Sequence, residues 1–409
     1  MWAREEFVAK SSRRYFRAYL CEVRRNPFTY GEALSPDKLV DRRNELQRTT
    51  MSLISGGRLF VVGPRRFGKT SILKAAAERA TEEGVPTVLI NVESYLSIEA
   101  LAGALIDEAS KLIEPSLRER SQKLVEWFAS LRPTVSYEAL TDKLSVGLSA
   151  TTSDEETATL VEALNRIDDL AGERGIRIGI ILDEFQEISN REGLPAERQL
   201  RAAVQEHHNL SYVFAGSDTR MMLSMISQHS RPFYRLGASL FVDSLPREDM
   251  RLFISEAFAK TGIEITADAV ERLLDAAADT PYNIQKLAAR GYELTTLASQ
   301  TLVDPKTVEA WLAQLLSEER AVYLSLYNTF TTRQQRVLAA FADPRFKDQR
   351  PSGIARTLRL AESTFRSARL AMEKAGILRP TYGEDKQALT FVDPFFGLWI
   401  EAWVKGRLR

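Results

Sequence analysis

Five short apolar runs occur in the first 245 residues, and stretches rich in helix-forming residues separate them. Each run is almost continuously apolar, which is typical of a strand buried on both faces of a parallel sheet. Strands that alternate with helices in this way predict an α/β fold with a five-stranded parallel sheet. The runs cover residues 59–62, 85–91, 176–183, 210–216 and 238–242.

Two other segments depart from this alternation. Residues 134–137 and 144–149 alternate apolar and polar side chains, so they predict a short antiparallel hairpin beside the main sheet. After the fifth run, residues 246–262, 266–279 and 283–298 predict three further helices, which we interpret as a helical lid.

The pattern changes again at residue 331. Residues 332–341, 353–358 and 363–374 predict helices, and residues 377–378 and 388–392 can pair as a two-stranded wing. This order of elements predicts a winged helix-turn-helix. The predicted domains are an N-terminal helical segment (1–50), an α/β core (51–245) with a hairpin insertion at about 132–150, a helical lid (246–330) and the winged helix (331–409).

The first apolar run ends in GPRRFGKT, which fits the phosphate-binding pattern G-x-x-x-x-G-K-[ST] at every fixed position. Two glycines let the backbone curl, so that its N–H groups point at a polyphosphate at the start of the next helix. Lys69 is expected to reach the β- and γ-phosphates, and the Thr70 hydroxyl is expected to bind Mg²⁺. The predicted nucleotide-binding residues of this loop are Gly63, Pro64, Arg65, Arg66, Phe67, Gly68, Lys69, Thr70 and Ser71.

The third apolar run ends in Asp183 and Glu184. Asp183 is predicted to hold the metal through water next to Thr70, and Glu184 to orient and deprotonate the attacking water. The alternative is a solvated acidic turn at a strand end. The glycine loop in the same chain favours the catalytic interpretation, whereas Gln186 and Glu187 nearby have no assigned role.

The fourth run places Ser217 at its tip, where a polar side chain can sense the γ-phosphate. Arg220, Arg231 and Arg235 follow, and each is a candidate for neutralising the charge that develops in phosphoryl transfer. The alternative for each arginine is a surface group that only solvates the protein. Lys69, Glu184, Ser217 and Arg235 are the predicted catalytic residues.

Residues 1–26 predict an amphipathic, Arg-rich helix, which Pro27 and Gly31 end. Two aromatic residues follow the break. Phe28 and Tyr30 are candidates for stacking on a nucleotide base, and aromatic packing under the linker is an equally good interpretation.

Composition is ordinary for a soluble globular protein, with 44% hydrophobic and 27% charged residues. The lone Cys21 excludes an internal disulfide framework and suits a reducing cytosol. The first ten residues lack the apolar core of a signal peptide, and no run approaches the ~20 apolar residues of a membrane span. A cytoplasmic protein is therefore expected.

The net charge of zero conceals an uneven distribution. Residues 331–409 carry 15 Lys and Arg against 8 Asp and Glu, a surplus of seven positive charges. Basic residues on and around the second helix of the predicted winged helix suit contacts to DNA phosphates, and docking on the ATPase body or on another protein is the alternative. They are Arg356, Arg359, Arg366, Arg369, Arg379 and Lys386.

These segments together resemble the archaeal-type ATPase family, a P-loop group related to AAA+ origin-recognition ATPases and to STAND signalling ATPases. The resemblance implies a sheet ordered 5-1-4-3-2, a helical lid and a C-terminal winged helix. It also implies ATP as the nucleotide, Pro281 beside the adenine, and Arg235 as the arginine that senses phosphate. The chain has Asp279 and Thr280 before this proline, where the family usually has glycine. The matching segments are residues 26–31, 63–71, 182–186, 215–218, 232–235, 281–282 and 391–399.

Two functions are compatible with the sequence. The first is an ATP-hydrolysing, Mg²⁺-dependent switch that moves a winged helix on double-stranded DNA. The second is a nucleotide-gated interaction protein of the signalling type, in which the winged helix docks on protein and the nucleotide changes self-association.

Overall fold

The structure is a computed structural model that describes residues 25–31, 42–114, 116–131, 134–138, 143–148, 153–346, 351–380, 389–404 and 406. The described residues from 42 to 244 form one compact unit, which we call the core unit. Residues 25–31 and the described residues from 245 onward form a second compact unit, the C-terminal unit. The helix predicted over residues 1–26 lies almost entirely outside the described residues.

A five-stranded parallel sheet is the centre of the core unit. Its strands lie in the order β2-β5-β6-β1-β7, and β3 and β4 form a separate antiparallel hairpin at the predicted insertion. When the hairpin strands are left out of the numbering, the order reads 5-1-4-3-2 from the β7 edge. The strands are β1 (Arg58–Val62), β2 (Thr87–Asn91), β3 (Thr134–Glu138), β4 (Lys143–Gly147), β5 (Ile178–Asp183), β6 (Leu210–Gly216) and β7 (Ala238–Phe241).

Both faces of the sheet are covered by helices, which is why its strands are continuously apolar. On β1, Phe60 and Val62 pack with α3, α5 and α6, whereas Leu59 and Val61 pack with α1 and α2 on the other face. The helices of this unit are α1 (Arg43–Ile54), α2 (Lys69–Glu82), α3 (Ile98–Ile113), α4 (Leu117–Trp127), α5 (Ser153–Glu173), α6 (Gln186–Glu206) and α7 (Thr219–Ser227).

The first part of the C-terminal unit is helical, and its interpretation as a lid stays a prediction. A parallel pair of two-residue strands, β8 (Glu264–Ile265) and β9 (Leu302–Val303), joins its helices. Two helices that the sequence pattern did not single out, α11 and α12, complete it. The helices are α8 (Arg247–Ala259), α9 (Ala267–Ala276), α10 (Pro281–Leu297), α11 (Pro305–Glu318) and α12 (Arg320–Asn328).

The elements after residue 331 follow the predicted order, and their interpretation as a winged helix stays a prediction. Two strands pair antiparallel, with Leu378 opposite Phe391. A last helix packs Trp399 on Tyr323 of α12, with ring centroids 6.0 Å apart. The elements are α13 (Thr332–Ala342), α14 (Pro351–Thr357), α15 (Glu362–Lys374), β10 (Leu378–Pro380), β11 (Leu389–Phe391) and α16 (Pro394–Val404). No described helix combines the length and apolar character that crossing a bilayer requires.

A buried polar network lies at the amino end of β6. His207 is 4% exposed, and its Nδ1 lies 2.6 Å from the Tyr212 hydroxyl while its Nε2 lies 2.8 Å from Oδ1 of Asn165. Burial lowers the pKa of His207, although the carboxylate of Asp168 acts in the opposite direction. The histidine is therefore neutral in the folded protein at pH 7.

This network predicts that the protein loses stability in mild acid. Because the pKa of His207 is lower folded than unfolded, the unfolded chain binds more protons below the ordinary histidine pKa of about 6.5. Stability is full above that pH and falls as the pH drops toward the folded pKa. Urea unfolding at pH 7.5 and 5.5 should show a loss that His207→Gln reduces by about 1 kcal/mol. The exposed neighbour His208 gives the control His208→Gln, and an equal effect of both substitutions would contradict this origin.

Candidate functional site

The glycine loop joins β1 to α2, as the sequence predicts. Gly63 starts it where the backbone passes β7, because a Cβ at this position would lie 2.2 Å from the carbonyl oxygen of Val242. Gly68 ends it as the N-cap of α2 with φ of 86°, a left-handed conformation that favours glycine. The loop thus presents its backbone at a helix N-terminus, which is an anion-binding arrangement.

Lys69 is the first residue of α2 and is buried. Its Nζ donates to the carbonyl oxygen of Pro64 at 3.0 Å, across the loop. Burial lowers the pKa of Lys69, while the charges of Glu184 and Asp183 raise it. A cation so poorly solvated gains more from an incoming phosphate than an exposed lysine does.

Thr70 and Asp183 meet between α2 and the end of β5. The Thr70 hydroxyl donates to Oδ2 of Asp183 at 2.8 Å. Burial raises the pKa of Asp183, and the hydrogen bond from Thr70 partly offsets this. A hydroxyl and a carboxylate at one point are oxygen ligands of the kind that Mg²⁺ prefers, so these two residues would fit a magnesium ion.

Glu184 follows Asp183 with φ of 54°, an uncommon conformation for a side-chain-bearing residue that turns the chain sharply after β5. Its Oε2 accepts hydrogen bonds from Nε2 of Gln186 and from Oγ of Ser217, each at 2.6 Å. Burial raises the pKa of Glu184, but the hydrogen bonds from Ser217 and Gln186 and the charge of Lys69 outweigh it, so the pKa is lowered. The carboxylate is therefore ionised at neutral pH and fixed in direction, as a general base needs to be.

Arg65 is exposed and lies beside Ser217, one of the hydrogen-bond partners of Glu184. Its Nε donates to Oγ of Ser217 at 3.3 Å, and its Nη2 donates to both carboxylate oxygens of Glu93, at 3.1 and 3.3 Å. The structure thus brings Lys69, Thr70, Asp183, Glu184 and Ser217 together, with Arg65 beside them.

The three candidate arginines have different surroundings. Arg231 forms an ion pair with the buried Glu197 of α6, and its Nη2 also donates to Oγ of Ser189 at 3.2 Å. Its charge is thus already paired, which argues against a role at a phosphate. Arg220 and Arg235 are exposed. The guanidinium of Arg235 lies 5.2 Å from the centre of the Tyr234 ring.

The residues predicted on the adenine side belong to the C-terminal unit. Phe28 is buried, with its ring 4.9 Å from that of Phe258, so it occupies the packing position that was the alternative to base stacking. Tyr30 is more exposed, and its ring lies edge-on to Tyr282 at 6.0 Å. Pro281 begins α10, where its missing N–H costs no hydrogen bond.

The turn before Pro281 contains two left-handed residues that are not glycine. Ala278 has φ of 48° and Asp279 has φ of 52°. The guanidinium of Arg247 holds this turn, since its Nη2 donates to Oδ2 of Asp279 at 3.0 Å and to Oδ1 of Asp275 at 2.7 Å. These ion pairs raise the pKa of Arg247 further above its ordinary value. An unfavourable backbone conformation of this kind persists only where its surroundings fix it.

Of the six basic residues named as candidates for DNA contact, Arg379 is partly buried on β10. Three others are exposed on α14, on α15 and in the turn between them. They are Arg356, Arg359 and Arg366. Arg369 instead lies 3.2 Å from the carboxylate of Glu373 one turn later on α15. Lys386 lies outside the described residues.

Sequence reasoning missed the roles of Gln186 and Glu93. Gln186 donates a hydrogen bond to the Glu184 carboxylate from two residues away, and its spacing after Glu184 was a usable signal. Glu93 pairs with Arg65 across 28 positions, and nothing in the local pattern points to that contact.

The profile of a family described as an ATPase domain predominantly from Archaea matches residues 39–287, more than half of the chain. The chain belongs to this family. The resemblance predicted from the motifs is confirmed, and the loop, the strand-end acids and the parallel sheet are those of a P-loop ATPase.

Solved structures show the same fold. A Walker-type ATPase of Pyrococcus abyssi superposes with a TM-score of 0.60 at 16% identity, over 91% of this chain and 99% of that chain. The ORC2 protein of Aeropyrum pernix, solved as ADPNP–ADP complexes, superposes with a TM-score of 0.53 at 11% identity, over 94% and 99%. No curated protein matches the sequence.

The position of Lys69 predicts its importance for binding. Lys69→Ala should weaken the affinity for the ATP analogue AMP-PNP with Mg²⁺ by about 100-fold, because a charge-assisted contact to phosphate is lost. Titration calorimetry measures this, and Lys74→Ala, on the exposed side of the same helix, serves as the control. Equal affinities of Lys69→Ala and wild type would contradict the assignment.

Proposed function

We propose that this protein is a magnesium-dependent ATPase of the AAA+-like type whose nucleotide state controls a DNA-binding winged helix. The observation that carries the hydrolytic part is the Glu184 carboxylate, which two hydrogen bonds of 2.6 Å hold ionised beside Lys69 and the Thr70–Asp183 pair.

Different residues of the site have different roles in hydrolysis. The loop amides and Lys69 bind the phosphates, and Thr70 and Asp183 hold Mg²⁺, which when bound neutralises charge on the phosphate oxygens. Glu184 orients the attacking water and removes its proton. Ser217 positions Glu184 and, with Arg235, responds to the terminal phosphate.

The catalytic assignment predicts a separation of binding from turnover. Glu184→Gln should bind Mg²⁺-ATP within about threefold of wild type and lose turnover by 10²-fold or more, because the amide cannot accept the proton. Phosphate release and calorimetry measure the two quantities. Glu187→Gln is the control, because Glu187 lies on α6 directly after Gln186. A Glu184→Gln protein with wild-type turnover would refute the role of Glu184.

We propose that the protein has two conformations, an open form without ATP and a closed form with ATP, and that ATP binds the closed form more tightly. To move the protein from mostly open to mostly closed, ATP must favour the closed form by ~5 kcal/mol. Contacts of Ser217 and Arg235 with the terminal phosphate are charge-assisted and can supply much of this amount. Hydrolysis removes that phosphate and returns the protein to the open form.

Exposed Arg356, Arg359 and Arg366 support DNA as the partner of the C-terminal unit. A second candidate is a signalling-type ATPase whose winged helix docks on protein. It is favoured by Glu362 and the 41%-exposed Leu370, which lie with Arg366 along one shallow depression of α15. An acidic and an apolar residue suit a protein surface better than a phosphate backbone.

A salt titration with a 20-base-pair duplex separates the two partners. If DNA is the partner, retention should fall steeply with salt, and the double variant Arg359→Ala/Arg366→Ala should reduce the slope of log K against log salt by about two. Arg198→Ala, on the exposed side of α6, should leave the slope unchanged. Absence of retention at 50 mM salt would exclude DNA, and nucleotide-dependent light scattering would then test the docking function.

A further inference from the structure

Arg42 is a buried arginine behind the glycine loop, and it takes no part in the hydrolysis proposed for this site. It precedes α1, and only 5% of its surface is exposed. Its Nη1 donates to Oε1 of Glu45 at 2.7 Å. Its Nη2 donates to the carbonyl oxygen of Phe67 at 3.1 Å and to the carbonyl oxygen of Asp243. One guanidinium thus joins three parts of the core unit.

The hydrogen bond from Arg42 to the carbonyl oxygen of Phe67 fixes the glycine loop. Phe67 precedes Gly68 and Lys69, and its side chain is buried in the core cluster with Ile72 of α2. A loop that turns its N–H groups toward phosphate must place its carbonyl groups elsewhere, and a buried carbonyl needs a donor. Arg42 is that donor for Phe67.

The hydrogen bond from Arg42 to the carbonyl oxygen of Asp243 fixes the chain just after β7. Asp243 follows Val242, whose backbone N–H donates to the carbonyl oxygen of Val62 at 2.8 Å and whose own carbonyl lies against Gly63. Through Asp243, Arg42 is therefore tied to the start of the loop as well as to its end.

The position of these residues in the sequence adds a third observation. The chain leaves the core unit after Ser244. Asp243 is one residue before this point. A single buried side chain therefore contacts the glycine loop and the segment where the chain leaves the core unit.

We propose that Arg42 couples the nucleotide state of the glycine loop to the segment around Asp243, where the chain leaves the core unit. The proposal rests on the nucleotide-binding function proposed above. When phosphates fix the loop, the carbonyl of Phe67 fixes the guanidinium, and the guanidinium fixes the carbonyl of Asp243. Lysine cannot replace it, because one ammonium lacks the planar fork that reaches two carbonyls and a carboxylate.

Hydrogen–deuterium exchange of the full chain tests this, with and without saturating AMP-PNP and Mg²⁺. In the wild-type protein the analogue should slow exchange in peptides covering residues 63–70 and also, by about fivefold or more, in peptides covering 242–246. Slower exchange in the loop without any change at 242–246 would overturn the coupling while leaving nucleotide binding intact. No change in either peptide, together with no heat in calorimetry, would overturn the nucleotide-binding function and this proposal with it.

A pair of matched variants sharpens the test. Arg42→Lys should raise the Kd for AMP-PNP about tenfold, and at saturation it should keep the protection of 63–70 but lose that of 242–246. Arg48→Lys is the control, since Arg48 lies on α1, the helix that Arg42 precedes, and donates to the carbonyl oxygen of Ser239 in β7 at 3.2 Å, but is exposed. Its affinity and both protections should equal those of wild type. Retained protection of 242–246 in Arg42→Lys would overturn the proposal, and the wild-type comparison decides it if that variant does not fold.

Discussion

The structure depends on keeping oppositely charged side chains close together where they are buried from water. Lys69, Asp183 and Glu184 are all buried at the carboxyl edge of one sheet, and each alone would be costly there. Their mutual attraction and their hydrogen bonds to Thr70, Ser217 and Gln186 make the group tolerable. These three side chains, one cation and two carboxylates, have reduced hydration. Charges interact more strongly where little water screens them, so a charged ligand that brings its own counterion binds strongly at this site.

The parallel sheet is what makes this concentration of charge possible. Strands β1, β5 and β6 are neighbours and run in one direction, so the residues at their carboxyl ends meet at one edge. Each strand supplies one part: β1 leads into the loop, β5 ends in the acids, and β6 places Ser217 beside them. The helices on both faces exclude water from the strands and thereby fix these tips to within hydrogen-bonding distance.

The sequence predicted those parts of the fold and the site whose requirements are local. The loop and the strand-end acids need particular residue types at fixed spacing, and a continuous apolar run such as 210–216 is typical of a strand buried on both faces. Pairings between distant residues were beyond this kind of reasoning. Arg231 was one of three arginines proposed either for a phosphate or for the surface, and its ion pair with the distant Glu197 has no signal in the local sequence. Phe28 suited a base or a core equally, and its packing on Phe258 depends on an equally distant residue. No sequence pattern identifies the contacts of Arg42, because two of its partners are backbone carbonyls, which every residue possesses.

The turn before Pro281 has a consequence of its own. Where a glycine would adopt the left-handed conformation without cost, this chain uses Ala278 and Asp279 and holds them with the partly exposed cation of Arg247. Dissolved ions screen such a pair, whereas they do not alter the intrinsic freedom of a glycine. The geometry at the start of α10 is therefore sensitive to ionic strength, so the surrounding electrolyte becomes a weak effector of this segment even when no polyanion is present.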